Sequence, residues 1–237
     1  TVLKQRLGDS VSVEPGDLES YSYDGMKIAF STDAVIRPSK ETEVGTILEL
    51  ANVFEVPVTT RGAGSTLTGS ATPKYGGWVL DLSGMDAFEI DPLSNFCHAQ
   101  AGAVVGRIQD AAVKQNRFYP PDPSSLKWCT IGGNIACNAG GLRCVKYGVT
   151  RDYVVALRGF LPTGEPVQFG RDLKKFASGY NLRDLWVGSE GMLGVITRAT
   201  LKLIPAPRDR RTFLASFQTE RAVLESVQTL LEDGCVQ

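Results

Sequence analysis

The sequence predicts an α+β fold of two subdomains, a small β-α-β unit and a larger mixed or antiparallel sheet with flanking helices, followed by the start of a second α+β domain. Three observations support this fold class. Strand and helix patterns alternate up to residue 82, and a hairpin signal surrounds Gly164. After the last predicted strand and helix, no further element completes the unit that they begin.

The small unit begins with a strand at residues 34–38, after which Ser39 is placed to cap a helix. A buried helical face is indicated by apolar residues at i, i+3, i+4 and i+7, which are Val44, Ile47, Leu48 and Ala51. A second strand at 56–60 leads into a glycine-rich loop, and a third at 78–82 completes a β-α-β-loop-β unit.

The larger subdomain begins with an amphipathic helix at 104–115, which ends at Asn116 and a proline cluster. A Gly/Asn-rich segment, 130–150, precedes a strand at 153–161 and a hairpin turn into 167–169. Another strand runs from 195 to Pro205. A strand at 213–217 and a helix at 222–231 then open a further unit. The predicted boundaries are an N-terminal helical or irregular extension, 1–32, a domain at 33–207 with subdomains 33–90 and 91–207, and an incomplete domain from 208.

Composition excludes several classes of function. Twenty-five Lys and Arg residues balance 26 Asp and Glu residues, with no basic run, so nucleic acid is not an expected partner. No apolar stretch is long enough for an integral membrane segment, and no secretory signal is recognised, so a cytoplasmic location is expected. Five cysteines without C-x-x-C spacing predict free thiols, and a single histidine predicts no His-rich metal site.

Three glycine-rich segments carry the chemical signal. The first is Arg61-Gly62-Ala63-Gly64-Ser65-Thr66-Leu67-Thr68-Gly69, the second is 130–141 with a proline-rich stretch shortly before it, and the third is 188–197. Small residues after a strand let backbone N–H groups converge on an anion. Ordinary turns between strands are the structural alternative for any one segment, but three of them on one chain favour a ligand site.

A nicotinamide-binding Rossmann domain is a second alternative, because Gly62 and Gly64 follow a strand and Asp81 lies on another. That fingerprint needs a third glycine at position 67, where the chain has Leu67, and a helix directly after the loop. Glycines and a proline interrupt any such helix, so this alternative is weak, and a Walker A loop is absent.

In this order and spacing, the three segments resemble the FAD-binding (PCMH-type) domain of the vanillyl-alcohol oxidase superfamily. Within that superfamily they are most similar to the FAD-linked oxidases of the glycolate oxidase and D-lactate dehydrogenase group. The similarity runs from about residue 33 to 207 and includes Lys146-Tyr147-Gly148-Val149-Thr150-Arg151-Asp152. The resemblance implies non-covalent FAD, because Ser65 and Thr66 stand where some members carry a flavin-linking histidine.

The resemblance also implies residue roles. Arg61, Gly62, Ala63, Gly64, Ser65, Thr66 and Gly69 form the cofactor-binding first loop, in which Gly62 to Thr66 hold the pyrophosphate. Thr130, Gly132, Gly133 and Asn134 support the pyrophosphate and ribityl chain. Pro121, Asp122, Asn138, Gly140 and Gly141 surround the isoalloxazine, Glu190 lies near the ribose, and Val195 and Ile196 offer their backbone to adenine. Gly194 is a further cofactor-binding residue.

By the same resemblance, the activity is oxidation of a small 2-hydroxy acid such as glycolate or D-lactate, with residues from 208 beginning a substrate or cap domain. Electron acceptors would be a quinone, an iron–sulfur protein or oxygen, and partner subunits would allow peripheral membrane association. A flavin-binding or electron-relay subunit without a substrate site is the alternative. No catalytic residue is assigned: His98 is expected to be structural, and Arg143, Lys146 and Arg151 to be solvated charges.

Overall fold

The computed structural model describes residues 2–173, 175, 177–209 and 211–233. It contains two main sheets, each with its own apolar core. The first sheet has four strands, β1 (Val11–Ser12), β2 (Ala34–Ile36), β3 (Val58–Arg61) and β4 (Trp78–Asp81), in the order β1-β2-β4-β3. Strands β2, β4 and β3 are parallel, and β1 joins antiparallel to β2. The predicted β-α-β-loop-β unit is therefore confirmed.

Helix α3 (Glu41–Val53) connects β2 to β3. The four apolar residues at its predicted periodic positions are all buried, which confirms the assignment of its inner face. The prediction that Ser39 caps this helix was wrong. The Glu43 carboxylate instead accepts hydrogen bonds from the backbone N–H groups of Ser39, at 2.7 Å, and Lys40, at 3.2 Å. The Ser39 hydroxyl bonds the same carboxylate, so it does not reach the N–H groups of the first turn.

The second sheet has five strands that are antiparallel throughout, in the order β5-β6-β10-β8-β9. Its members are β5 (Phe88–Ile90), β6 (Phe96–Gln100), β8 (Val154–Phe160), β9 (Pro166–Gly170) and β10 (Val195–Lys202). The predicted hairpin around Gly164 joins β8 to β9. Two helices, α4 (Val105–Lys114) and α5 (Ile131–Ala136), contribute buried side chains to the core of this sheet.

Nine further elements complete the described chain. They are α1 (Val2–Leu7), α2 (Pro15–Tyr21), β7 (Arg117–Phe118), α6 (Cys144–Tyr147), α7 (Leu182–Trp186), β11 (Ile204–Pro205) and α8 (Glu220–Glu232), with 3-10 turns at Gly8–Ser10 and Thr150–Tyr153. Strands β7 and β11 pair with each other as a separate two-stranded ribbon. Within the described ranges, no helix is both long and apolar enough to cross a membrane.

The strand predicted at 213–217 was wrong, because these residues adopt no regular structure. A strand requires a partner for its backbone N–H and C=O groups, and the described part of the chain offers none here. Phe213 and Leu214 are exposed, and the following helix α8, which confirms the helix predicted at 222–231, has no buried residue.

The two sheets meet along a shared apolar boundary. Phe160 and Val195, from the second sheet, belong to the core of the first one. The backbone N–H of Gly102 donates to the Met85 carbonyl at 2.8 Å, in the connection between the two sheets. The candidate site described next lies at this junction.

Candidate functional site

A cleft at the junction of the two sheets collects parts of all three glycine-rich segments. Thirteen of the predicted site residues line it: Arg61, Gly62, Ala63, Gly64, Ser65, Thr66, Thr130, Gly132, Gly133, Asn134, Glu190, Gly194 and Ile196. Segments that are far apart in the sequence therefore surround a single space.

The first segment leaves β3 at Arg61, which is paired with Asp81 of the adjacent parallel strand. A Cβ atom on Gly62 would collide with the Thr130 hydroxyl, and one on Gly64 would collide with the Arg61 guanidinium. Gly64 also has a φ of +63°, which side-chain-bearing residues rarely adopt. Both glycines thus lie against side chains that a Cβ would displace, and turn geometry also favours glycine at position 64.

The second segment is not a loop at its start but the short helix α5. The Thr130 hydroxyl caps it by accepting from the Gly133 N–H at 3.4 Å. Gly132 lies so close to Ala101 that a Cβ there would be 2.7 Å from the alanine methyl. Ile131 is completely buried, so this helix is held firmly against the second sheet.

Asn134 of α5 is a buried donor without a hydrogen-bond partner. The residue is only 3% exposed, and the weakly accepting thiol of Cys129 is the one described group that interacts with its amide. A buried amide without a hydrogen bond is costly. Asn134 is also one of the residues that line the cleft.

The third segment is bonded to the other two. The Gly188 and Glu190 N–H groups donate to the carbonyls of Ile135 and Ala136, at 2.9 and 2.8 Å, at the end of α5. The Glu190 carboxylate accepts from the Thr68 hydroxyl at 3.1 Å. Glu190 also has a φ of +52°, an uncommon value for a residue with a side chain. These contacts hold the third segment against the other two.

Seven predicted site residues do not line the cleft: Gly69, Pro121, Asp122, Asn138, Gly140, Gly141 and Val195. Val195 is buried in the core of the first sheet, and Gly69 shapes its loop by accepting from Thr72. The other five lie in two adjoining loops, and the backbone of Asp122 leaves no room for a Cβ on Gly141. Pro123 and Ala139, the chain neighbours of these loops, do line the cleft.

Thirteen lining residues were not predicted: Thr60, Leu67, Ser70, Ala71, Leu82, Ala101, Pro123, Ser125, Cys129, Ala136, Cys137, Ala139 and Gly191. Most lie within or next to the glycine-rich segments, so a wider window around each motif would have included them. Leu82 and Ala101 lie outside those segments, and no local pattern marks them.

Charge in the cleft is sparse. Among the described lining residues, only Arg61 and Glu190 carry a formal charge. Arg61 is 9% exposed, and burial lowers the pKa of its guanidinium, although an arginine stays protonated at neutral pH. The lining otherwise consists of small, hydroxyl and apolar side chains, which suits an elongated ligand with one anionic part.

Two of the three cations expected to be solvated are not. Arg143 forms an ion pair with Asp122 at 3.2 Å, and Arg151 donates to the backbone carbonyls of Asp184 and Val187. Both arginines therefore join loops to one another, whereas Lys146 is exposed as expected. His98 lies on β6 outside the cleft, with Nδ1 3.3 Å from the Thr200 hydroxyl.

The sequence also predicted free cysteine thiols and no His-rich metal site. Cys97, Cys129, Cys137 and Cys144 are free thiols, and Cys235 lies outside the described residues. No group of three or more potential ligands that could hold a metal ion occurs in the described portion of the chain.

The chain is similar in sequence to a known family and to known proteins. Residues 32–170 match the family described as FAD binding domain. The chain is 41% identical over 213 residues to glycolate oxidase subunit GlcD of Bacillus subtilis, and 42% identical over 205 residues to D-lactate dehydrogenase of Anaerostipes hadrus. These alignments cover 89% and 85% of this chain but only 45% and 42% of the relatives, so the chain spans less than half of their length.

Solved structures support the fold. An alkyldihydroxyacetonephosphate synthase aligns with a TM-score of 0.82 and 22% identity, over 96% of this chain and 44% of that one. The 6-hydroxy-D-nicotine oxidase of Arthrobacter nicotinovorans aligns with a TM-score of 0.72 and 21% identity, over 85% and 43% of the two chains. At these identities the similarity establishes the architecture alone, an α+β fold.

Proposed function

The chain belongs to the FAD binding domain family, and we propose that it is the cofactor-binding part of an FAD-linked oxidoreductase that oxidises a small 2-hydroxy acid such as glycolate or D-lactate. One observation carries the proposal. Three glycine-rich segments meet in a cleft that contains a buried cation and a buried, unsatisfied amide donor. The names of the relatives support the substrate class.

The residues of the cleft fit FAD. The collisions that a Cβ would meet at Gly62 and Gly64 keep this stretch of backbone bare, so its N–H groups are available to phosphate oxygens. Arg61 supplies positive charge behind that backbone, and Asn134 supplies a free amide donor. The diphosphate and the hydroxyls of the ribityl chain offer the acceptors that these groups lack.

We assign the binding roles as follows. Gly62 to Thr66 hold the diphosphate, Thr130 to Asn134 hold the diphosphate and ribityl chain, and Glu190 accepts from a ribose hydroxyl. Ile196 borders adenine, and the loops of Pro121, Asp122, Asn138, Gly140 and Gly141 border the flavin ring. The cofactor is FAD, and when bound it supplies a hydride acceptor. Attachment is non-covalent in this proposal.

The proton acceptor and the carboxylate clamp that a 2-hydroxy acid requires come from outside the described cleft lining. Its only carboxylate, Glu190, is engaged by Thr68, and its only cation, Arg61, is buried beneath the glycine loop. In this proposal a further part of the protein, or a partner subunit, supplies both groups. A quinone, an iron–sulfur protein or oxygen is the terminal electron acceptor.

The same sparse charge favours a second candidate, a flavin-binding subunit that relays electrons and has no substrate site of its own. One experiment separates the two. The full-length protein, together with any partner subunits, is loaded with FAD and mixed anaerobically with excess glycolate or D-lactate, and the flavin absorbance is followed. Bleaching by the hydroxy acid supports the oxidase. A flavin that stays yellow until dithionite is added supports the relay subunit.

Cofactor binding itself is tested first. Titration with FAD should quench flavin fluorescence saturably, and acid precipitation of the loaded protein should leave the flavin in the supernatant. Flavin retained in the pellet would contradict non-covalent attachment. A folded protein that binds no FAD under any reconstitution condition would overturn the proposed function.

A further inference from the structure

A short stretch near the N-terminus lies directly behind the first glycine-rich segment. A Cβ on Gly25 would be 2.6 Å from the Thr66 carbonyl oxygen and 3.2 Å from that of Ser65. The Tyr23 carbonyl accepts a hydrogen bond from Arg61 Nη1 at 2.6 Å. We call residues 21–26 the N-terminal support. It precedes residue 32, where the family match begins.

The support is anchored by the aromatic ring of Tyr21. The guanidinium carbon atoms of Arg37 and Arg61 each lie 5.1 Å from the centroid of this ring. Its hydroxyl donates to the Asp81 carboxylate at 2.6 Å, and Asp81 is 2% exposed. A single side chain of the support thus contacts the ends of three neighbouring strands.

Arg61 links the N-terminal support to the first glycine-rich segment. Besides the Tyr23 carbonyl, its Nη1 donates to the Ala71 carbonyl at 3.2 Å, so the guanidinium ties the beginning of the loop to its end. Gly64 lies against the same guanidinium. The first glycine-rich segment is therefore packed against the planar, charged guanidinium of Arg61.

The charge of Arg61 has no direct counter-ion among the described residues. None of the described ion pairs includes Arg61, although Asp81 and Asp24 act on it from farther away. A buried cation without an ion-pair partner is costly, and the negative charge of a diphosphate in the cleft would compensate it.

From these contacts we propose that the N-terminal support and Arg61 position the first glycine-rich segment for a diphosphate, and make the cleft selective for ligands that carry one. This inference rests on the proposed FAD site. It makes Tyr21, Gly25 and Arg61 positioning residues, and it extends the cofactor site to a part of the chain that the family match does not include.

The test compares ligands that differ by one phosphate. Affinities of the protein for FAD, ADP and AMP are measured by flavin fluorescence and by competition, for wild type, Gly25→Ala, Tyr21→Phe, Arg61→Lys and Arg61→Met. Gly45→Ala is the matched control, because a Cβ there is similarly crowded, 2.8 Å from the Phe160 ring, but lies outside the cleft. Circular dichroism and the melting temperature establish that each variant is folded.

We expect Gly25→Ala and Arg61→Met to weaken FAD and ADP binding by about tenfold or more, with a smaller effect on AMP, while Gly45→Ala leaves all three unchanged. Arg61→Lys should restore part of the preference for ADP over AMP, and Arg61→Met should reduce the salt dependence of ADP binding. If Arg61→Met does not fold, Gly25→Ala and Tyr21→Phe decide the outcome.

Folded variants that bind FAD as wild type does, or that lose AMP and ADP affinity equally, would overturn the inference. A wild-type protein that binds none of these ligands would overturn the proposed function instead, so the two failures are distinguishable.

Discussion

Gly62 and Thr130 are in direct contact in the wall of the cleft, so closely that a Cβ on Gly62 would overlap the Thr130 hydroxyl oxygen. That hydroxyl also caps α5. One contact therefore joins the end of a parallel strand in the first sheet to the start of a helix on the second. The relative position of two phosphate-facing segments depends on it.

Gly62→Ala should weaken FAD binding by about thirtyfold, because relieving the overlap forces the loop away from α5 at a cost of about 2 kcal/mol. The Gly62→Ala/Thr130→Ala double variant lacks the Thr130 hydroxyl that the added methyl group would overlap. It should therefore recover part of the FAD affinity. A flavin titration of the two single variants and the double variant measures this coupling. Strictly additive losses would mean that the contact does not govern the site.

Gly64→Ala and Gly179→Ala form a matched pair. Both glycines have a positive φ, 63° and 75°, so alanine should lower the free energy of unfolding by about 1–2 kcal/mol in each. No described residue lies within 4 Å of a Cβ at Gly179, whereas one at Gly64 meets the Arg61 guanidinium. We expect only Gly64→Ala to lower FAD affinity, and urea unfolding together with flavin titration separates the two effects. Equal FAD affinities in the two variants would contradict the role of the first segment.

Cys137 should be protected from alkylation by bound FAD. Its half-buried thiol lines the cleft between the first and second segments, 3.7 Å from the Thr66 hydroxyl. Maleimide labelling followed by peptide mapping should show slower modification of Cys137 after loading. Cys137→Ser should still bind FAD, since attachment does not require the thiol. Unchanged labelling of the loaded protein would indicate that the ligand lies elsewhere.

Stability should fall at alkaline pH. Burial raises the pKa of the Cys97 thiol from 9.0 to about 12, so the folded state favours the neutral thiol. The stabilising contribution is complete below the unfolded-state value of 9.0 and is lost as pH rises towards 12, by about 1.4 kcal/mol per pH unit.

Urea unfolding of wild type and Cys97→Ala at about pH 8 and about pH 10 measures that contribution. The loss of unfolding free energy between the two pH values should be smaller in the variant. Subtracting the variant's loss of unfolding free energy from that of wild type removes the effects of other groups. One of these is Tyr153, because burial raises its pKa to about 12. The same pH dependence in both proteins would contradict the prediction.

Most strands and helices were predictable because their signals are local. The spacing of Val44, Ile47, Leu48 and Ala51 reflects one buried face, and a helix forms wherever such a face finds a core. The strand at 213–217 shows the limit of this reasoning. Its pattern permits a strand, but no partner is present in the described chain to complete its hydrogen bonds.

The site was predictable to the extent that glycine marks it. Gly62 and Gly64 of the first segment lie where a Cβ would meet other side chains, and their positions can be read from the sequence. Leu82 and Ala101 carry no such signal, and neither does the burial of Arg61 beneath Gly64. Each of these features depends on contacts between residues that local patterns do not connect.

By itself, the sequence determined the fold class, the positions of the three glycine-rich segments and the resemblance to FAD-binding domains, because periodicity and glycine placement are properties of short stretches. Only the tertiary structure decided that Gly62 lies against Thr130, that Glu190 reaches Thr68, and that Gly25 supports Thr66 from behind. These pairs are distant in the sequence. The packing of whole sheets and helices brings them together, and no local preference encodes that packing.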